Sequence, residues 1–279
     1  MEGATAAMIS LPSFVVEGQR LVSIRQINGL PLAQKEAIYR SLIPPEALLR
    51  FGIPLSLTDR EGYPLLTCVC EPATHSVVLA LRHRRDAQDP VLYLEMADTP
   101  TNQLEVLLFV VNDPDSERFN VDRMPDGRPT NFGVDCRNIE EEIRAMRAGL
   151  APAQVRQGAR LTRRLIPRFE TFVARLDHDR FHIQPLAYHN AILFERCGFA
   201  YTVGRGKMEW IHQEFAPGGL LFRRLDRSTP FREPGAERTV RGRSWAIHDG
   251  ILGEPFSGVR MYKRVGIHAG ICTFPEAVW

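Results

Sequence analysis

Residues 186–201, LAYHNAILFERCGFAY, constrain the fold more than any other part of the sequence. Ile192, Leu193 and Cys197 are apolar at helical spacing, which predicts a short amphipathic helix. Gly198 stands where a helix C-terminus favours positive φ, and the aromatic residue after it is suited to open a strand. The segment therefore predicts a helix followed at once by a strand, as in a mixed α/β chain.

Composition predicts an ordinary soluble globular protein. The chain has 279 residues, of which 44% are hydrophobic and 24% charged, so we expect one domain with an extension or one large and one small domain. Three of the 35 basic residues are lysines and the other 32 are arginines, an excess that we attribute to genome composition. The net charge of +2 is too small to indicate a polyanionic partner, so we do not expect nucleic-acid binding.

The sequence gives no sign of a membrane or secretory context. No run approaches the roughly 20 apolar residues of a membrane-spanning helix, and the start, MEGATAAMIS, does not resemble a signal peptide. The five cysteines do not suggest a disulfide framework, and Cys68 and Cys70 have no second ligand pair for a metal ion. We therefore expect a cytoplasmic protein with reduced cysteines, no membrane contact and no metal.

The pattern along the chain predicts strands, then helices, then strands again. Its first half predicts a strand pair at 12–25, helical structure at 31–51, and strands at 63–70, 76–82, 91–96 and 104–111. Its second half predicts helices at 139–147, 152–176 (kinked or split at Pro167) and 189–197, a short strand at 181–184, a hairpin of 199–203 with 207–212, and strands at 244–248 and 259–265. Residues 104–111, LEVLLFVV, are apolar almost throughout, which predicts a central strand covered on both faces.

The block Leu193-Phe194-Glu195-Arg196-Cys197-Gly198-Phe199 resembles the "LYE(K/R)xGF" block of the GNAT superfamily of N-acyltransferases. The element order over 63–212 is compatible with that fold, and the resemblance is strongest over 161–210. It implies an α+β fold with a mixed, mostly antiparallel central sheet flanked by helices. Residues 1–215 would form the GNAT-like domain, with an N-terminal arm and an insertion at about 113–150. Residues 216–279 would be a C-terminal extension or small subdomain.

The resemblance also implies a site for acetyl-CoA or another acyl-CoA. In the family the central strand separates from the next one, and the pantetheine arm lies in the gap, with the pyrophosphate on backbone N–H groups at a helix N-terminus. The separating strands would here be 104–111 and 181–184. The residues expected to contact the co-substrate are Phe109, Val110, Val111, Gln157, Gly158, Ala159, Asn190 and Phe194.

Three positions depart from the family pattern. The nearest match to the phosphate loop (Q/R)xxGx(G/A) lies at 156–160, about forty residues after the central strand, with Arg160 where a small residue is usual. Phe194 replaces a tyrosine that can protonate the leaving thiolate, and Ala187 replaces an asparagine. These departures leave an alternative open, in which the chain is a binding or scaffold protein that no longer catalyses transfer.

Glu105 and His189 are the candidate catalytic residues. Glu105 lies on the predicted central strand, where family members often use a carboxylate as base, and His189 begins the last helix, where an imidazole can accept a proton. His178, His182 and His189 also suggest a metal site, but a strand at 181–184 breaks the helical spacing that such a site requires.

The run 238–243 suggests either an anion contact or a charged strand edge.

The resemblance implies acyl transfer from acyl-CoA to an amine. The acceptor would be a small molecule or a peptide, and the amine would attack the thioester directly while backbone N–H groups near Val110 and Val111 hold the oxyanion. A homodimer is left open.

Overall fold

Alternating apolar and polar stretches form the strands of this α+β protein, and amphipathic stretches form its helices. The computed structural model describes residues 12–279. Its strands are β1 (Val15–Val16), β2 (Gln19–Arg20), β3 (Leu66–Val69), β4 (Ser76–Leu81), β5 (Leu92–Asp98), β6 (Leu104–Val111), β7 (Arg180–Ile183), β8 (Ala200–Val203) and β9 (Arg260–Arg264). Its helices are α1 (Ile24–Asn28), α2 (Leu32–Arg40), α3 (Pro45–Arg50), α4 (Ile139–Arg147), α5 (Thr162–Arg175), α6 (Tyr188–Arg196), α7 (Arg205–Glu214), α8 (Leu220–Arg223) and α9 (Val240–His248). None of the helices within residues 12–279 is both long and apolar enough to cross a membrane.

Seven strands form one open sheet in the order β3-β4-β5-β6-β7-β9-β8. β6 and β7 run parallel, joined by a crossover that contains α4 and α5, and the other neighbouring pairs in the sheet run antiparallel. β1 and β2 pair separately as a short hairpin. The predicted α+β class, with a mostly antiparallel sheet and flanking helices, is confirmed, and β6 has the predicted bounds.

One face of the sheet carries the core. Along β5, Leu92, Leu94 and Met96 are buried, whereas Tyr93 and Glu95 between them are only half-buried. Such alternation is typical of an antiparallel sheet that is covered on one side. On the opposite face, the described part of the chain leaves Val69 of β3 exposed.

A row of aromatic rings joins the sheet to the helices on its covered face. The ring centroid of Phe169 in α5 lies 6.0 Å from that of Phe181 in β7, which lies 5.5 Å from that of Phe199. Phe199 in turn lies 5.1 Å from Phe194 of α6. Both α5 and α6 therefore pack on the covered face, where they bury β6 and β7 from one side.

The C-terminal residues enter the sheet, because β9 pairs with β7 on one side and β8 on the other. Glu195 of α6 is buried and accepts hydrogen bonds from Tyr201 Oη and from both the backbone N and Oγ1 of Thr273. Residues 216–279 thus share one sheet and one core with the residues that precede them.

Helix α5 begins ten residues later than the sequence predicts. Residues 152–161 are a loop whose backbone pairs with the segment after β6, since Asp113 N donates to Gln157 O and Phe119 N to Val155 O. Pro167 does not split the helix, because α5 continues through that residue to Arg175.

Two predicted strands after β8 are helices. Gly204 precedes α7 with φ 94°, and a Cβ there would lie 2.6 Å from Gly258 O, so a close backbone approach from a distant turn fixes this helix start. Residues 244–248 belong to α9, whose first turn is capped by Thr239 Oγ1 accepting from Gly242 N. The run 238–243 is therefore not a strand edge, and Arg243 within it is buried with its guanidinium 3.5 Å from the ring centroid of Phe274.

Candidate functional site

Strand β6 contains one residue more than its partner β5. Val106 pairs with Met96 and Leu108 pairs with Glu95, so Leu107 has no opposite residue and forms a β-bulge. A bulge bends the strand that contains it and increases its twist. The bulge also keeps the apolar residues in phase, because Phe109 lies opposite the buried Leu94 and therefore points to the covered face.

The bulge marks the point at which β6 leaves β7. The parallel pairing between these strands ends at Val106 and Ile183, while β6 continues to Val111 paired with β5 alone. Within residues 12–279, the stretch Leu108–Val111 therefore has an unpaired edge beside the chain that leaves β7. We call the space along this edge the gap, and the point where pairing ends its vertex.

The unpaired edge presents backbone hydrogen-bonding groups. Asn112 N donates to Val91 O at 3.0 Å, and backbone groups alternate between the two sides of an antiparallel strand. Phe109 therefore directs its N–H and C=O groups into the gap, and Val111 directs its N–H there, whereas the groups of Val110 face β5. Of the two residues predicted to hold an oxyanion, Val110 and Val111, only Val111 thus has its N–H on the side of the gap.

The phosphate-loop candidate closes the outer end of the gap. Gly158 forms a bridge with Asn112, and a Cβ on Gly158 would lie 3.6 Å from Val111 O, an ordinary contact distance. Gln157 is exposed beside it, whereas Ala159 is buried and its carbonyl accepts a hydrogen bond from Arg50. Gly158 is therefore the member of this loop that borders the unpaired strand edge.

Helix α5 begins four residues beyond Gly158. Its N-cap residue, Leu161, provides no side-chain acceptor, and the backbone N–H groups of Thr162 and Arg163 have no acceptor within residues 12–279. Free N–H groups and the helix dipole favour an anion at such a terminus. Phe109 of β6 packs edge-on against Phe169 of the same helix, which fixes α5 against the gap strand.

Two carboxylates and an imidazole lie on the open face near the vertex. Glu105 is paired with His182 in the parallel register, and Glu95 lies opposite Leu108, the residue after the bulge. His182 Nε2 is 2.8 Å from Gln103 Oε1, and burial lowers the pKa of His182 below its ordinary value. The site thus combines two acidic groups with an imidazole that is neutral at pH 7.

Sequence analysis missed Glu95. The available signal was a carboxylate in the otherwise mainly apolar stretch VLYLEM, one strand away from the central strand. Its side chain is half-buried, and Tyr93 Oη on the same face donates to it over 3.4 Å. Its position beside the bulge depends on strand register, which the sequence does not reveal.

The other predicted site residue with acid–base chemistry, His189, lies between α6 and α9. It is buried, its Nδ1 is 2.9 Å from Ser244 Oγ, and burial lowers its pKa to about 3. Phe194 belongs to the aromatic core described above, and Asn190 is half-buried in the first turn of α6. The structure therefore places Glu105 beside the vertex of the gap, whereas His189 lies in the interface between α6 and α9.

The three histidines of the suggested metal site do not converge. His178 Nε2 is 2.9 Å from Val22 O, whereas His182 and His189 contact Gln103 and Ser244. Within the described part of the chain, no three His, Cys, Asp or Glu residues are grouped so that they could hold a metal ion.

Comparison of the chain with known protein families, with curated proteins and with solved structures finds no match. We therefore infer a function from the geometry of the gap and its vertex.

We predict that His189 makes the protein less stable in acid. The folded protein holds its pKa at about 3, below the ordinary 6.5, so between these values the unfolded chain binds a proton that the folded protein does not. The stabilisation is complete above pH 6.5 and is lost as the pH falls, by about 2 kcal/mol at pH 5. Urea unfolding at pH 7 and pH 5 measures this loss.

The His189→Gln variant provides the control, because it keeps a polar partner for Ser244 but does not titrate. Its stability should fall by about 2 kcal/mol less than that of the wild type between the two pH values. Equal losses in both proteins would mean that His189 is not responsible.

Proposed function

We propose that this protein is an acyl-CoA-dependent N-acyltransferase of the GNAT type, which transfers an acyl group such as acetyl to an amine. The observation that carries the proposal is the unpaired edge of Leu108–Val111, with Gly158 and the start of α5 at its outer end. A strand edge that is left unpaired inside a sheet suits a ligand that itself has backbone-like amides.

The gap has the groups that a pantetheine thioester requires. The amides of a pantetheine arm can bond to the N–H and C=O of Phe109 and to the N–H of Val111, much as an added strand would. The pyrophosphate would lie against Gly158 and the free N–H groups of Thr162 and Arg163, where a negative charge is favoured. An arm that runs along the strand edge inward from Gly158 would place its thioester at the vertex.

At the vertex, Glu105 would accept the proton of the attacking amine. The amine nitrogen forms a bond to the thioester carbonyl carbon, the C–S bond breaks, and the products are an amide and a thiolate. The N–H of Phe109 faces the gap and can donate to the oxyanion that forms during the attack. Glu105 is half-buried on the uncovered face, from which the amine would enter.

The departing thiolate would take its proton from water. Phe194 occupies the position of the usual acid but has no proton to donate, and its side chain is buried against Phe199. Tyr201 Oη is already hydrogen-bonded to Glu195. A thiol has a pKa of only about 8.5, so unassisted departure is chemically acceptable.

The absence of an acid at position 194 favours a second candidate function, namely a protein that binds acyl-CoA without transferring the acyl group. Both candidates require the gap, and they differ only in turnover. The two predictions below test binding and turnover separately.

We predict that acetyl-CoA binds and that Gly158→Glu weakens this binding at least tenfold, or ~1.4 kcal/mol. Position 158 tolerates a side chain, since its φ is not positive and a Cβ would meet only Val111 O at 3.6 Å. The loss would therefore come from placing a carboxylate where the phosphates bind. Calorimetric titration with acetyl-CoA and with free CoA measures it.

The matched control is Gly158→Gln, which has the same size without the charge and should retain affinity within about threefold of the wild type. Wild-type protein that binds neither compound would contradict both candidate functions. Equal affinity of the Glu and Gln variants would place the phosphates elsewhere.

We further predict that Glu105→Gln lowers kcat about 100-fold with little change in acetyl-CoA affinity, because it removes the base. Steady-state assays with an amine acceptor, found by screening primary amines, measure the effect. Glu95→Gln should lower kcat less than tenfold. The reverse order would make Glu95 the base, and a screen without turnover by wild-type protein would favour the binding function.

A further inference from the structure

A groove of about 420 Å³ runs along the outer surface of α5. One wall is formed by arginines of α5, and the other includes Ser41 and Glu46, on either side of the α2–α3 connection. We call it the arginine groove and define it by Arg163, Arg164, Arg168, Arg175, Ser41 and Glu46. Glu46 is the one carboxylate among these residues.

The four arginines of the groove differ from many other arginines of the protein in lacking an acidic partner. Elsewhere about half of the guanidinium groups lie beside a carboxylate, as in Arg118 beside Asp89. Within residues 12–279, no carboxylate lies within 4.0 Å of a guanidinium nitrogen of the groove arginines. Arg168 and Arg175 donate only to backbone carbonyls, those of Ser41 and Pro12. The groove therefore keeps most of its positive charge.

The positive charges follow one side of the helix. Arg164, Arg168 and Arg175 are separated by four and seven residues, a spacing that places them on one helical face. From the first to the last the stripe spans 11 residues, or about 16 Å at 1.5 Å per residue. It begins in the same first turn of α5 that borders the outer end of the gap.

A coenzyme A thioester would use only the beginning of this stripe. Its pyrophosphate would contact the first turn of α5, about 5.4 Å of helix, and the remaining arginines lie up to about three turns beyond. Charges that repeat at helical spacing over three turns suit a partner whose own negative charges repeat in the same way, as on an acidic helix.

We propose that the arginine groove docks an acidic carrier protein, which presents its acyl group on a phosphopantetheine arm that enters the gap. This inference rests on the proposed acyltransferase function and names a second donor for the same site. In the transfer, the C–S bond to the carrier's arm breaks, the amine forms the amide, and the carrier departs with its thiolate protonated by water.

The groove suits an acidic protein better than a nucleic acid. Single-stranded nucleic acids bind through aromatic side chains on which bases stack, as well as through positive charge. The aromatic residue that lines the groove, Phe172, is only 1% exposed and packs against Phe14 and Tyr39, so its ring face is not free.

Thr171→Glu tests the docking with little disturbance of the fold. Thr171 is exposed in the groove, and its hydroxyl bonds only to Pro167 O of its own helix. It lies nine residues, or about 14 Å, beyond the start of α5, out of reach of a pyrophosphate in the first turn. The control of equal size is Thr171→Gln. Arg168→Glu is a second groove variant. Its control is Arg60→Glu, which reverses an exposed charge outside the groove, in the loop before β3.

The experiment measures binding of full-length protein to four probes: CoA, an acidic acyl carrier protein with its arm, the same protein without the arm, and a 20-nucleotide single-stranded RNA. We expect the carrier with its arm to bind at least tenfold more tightly than the carrier without it. Thr171→Glu and Arg168→Glu should each weaken carrier binding at least tenfold. Thr171→Gln and Arg60→Glu should change it less than threefold, and CoA affinity should be unchanged in all four variants.

The outcomes separate this inference from the proposed function. If CoA binds but the carrier does not, or if carrier binding is insensitive to Thr171→Glu, the docking inference is wrong and the acyltransferase proposal stands. RNA that binds more tightly than the carrier, with the same loss in the groove variants, would also overturn it. If neither CoA nor carrier binds, both proposals fail.

Discussion

The extra residue at Leu107 is the constraint on which the site depends. A regular β6 could continue beside β7, and its backbone groups would be satisfied within the sheet. The bulge bends β6 where pairing with β7 ends, at Val106 and Ile183, and leaves the next residues bonded on one side only. Backbone groups that are not paired within a sheet need other partners, so the groups along this edge are available to a ligand or to water.

The rest of the structure supports this edge. Phe109 anchors β6 to α5 through Phe169, and the bridge between Asn112 and Gly158 holds the start of α5 at the open end of the gap. Insertion of β9 beside β7 stabilises the other wall, because β7 is paired on both sides up to Ile183. The sheet is therefore paired continuously up to the vertex and open beyond it, and the arginine groove begins at the first turn of α5, which borders the outer end of the gap.

Local sequence patterns predicted the strands and helices whose determinants are local. Residues 104–111 form a strand with the predicted bounds, and α4 covers the predicted residues 139–147. The sequence patterns gave wrong predictions where contacts between distant residues determine the structure. The start of α7 depends on the approach of Gly204 to Gly258. The order of β7, β9 and β8 in the sheet brings together strands that are separated by dozens of residues. Glu105 and Gly158 are candidates that the sequence alone suggests, whereas the position of Glu95 beside the bulge depends on a register that no local pattern encodes.

The most direct test of this account is deletion of Leu107, followed by calorimetric titration with acetyl-CoA and by urea unfolding. Deletion places Val106 and Leu108 opposite Met96 and Glu95 without an extra residue and keeps every other pair in register. We predict that the deletion variant folds and that its affinity for acetyl-CoA is at least tenfold lower than that of the wild type. The control, Leu107→Ala, keeps the bulge and truncates a side chain that is 41% exposed, so it should bind like the wild type. A folded deletion variant that binds acetyl-CoA as tightly as the wild type would contradict the claim that the bulge creates the site.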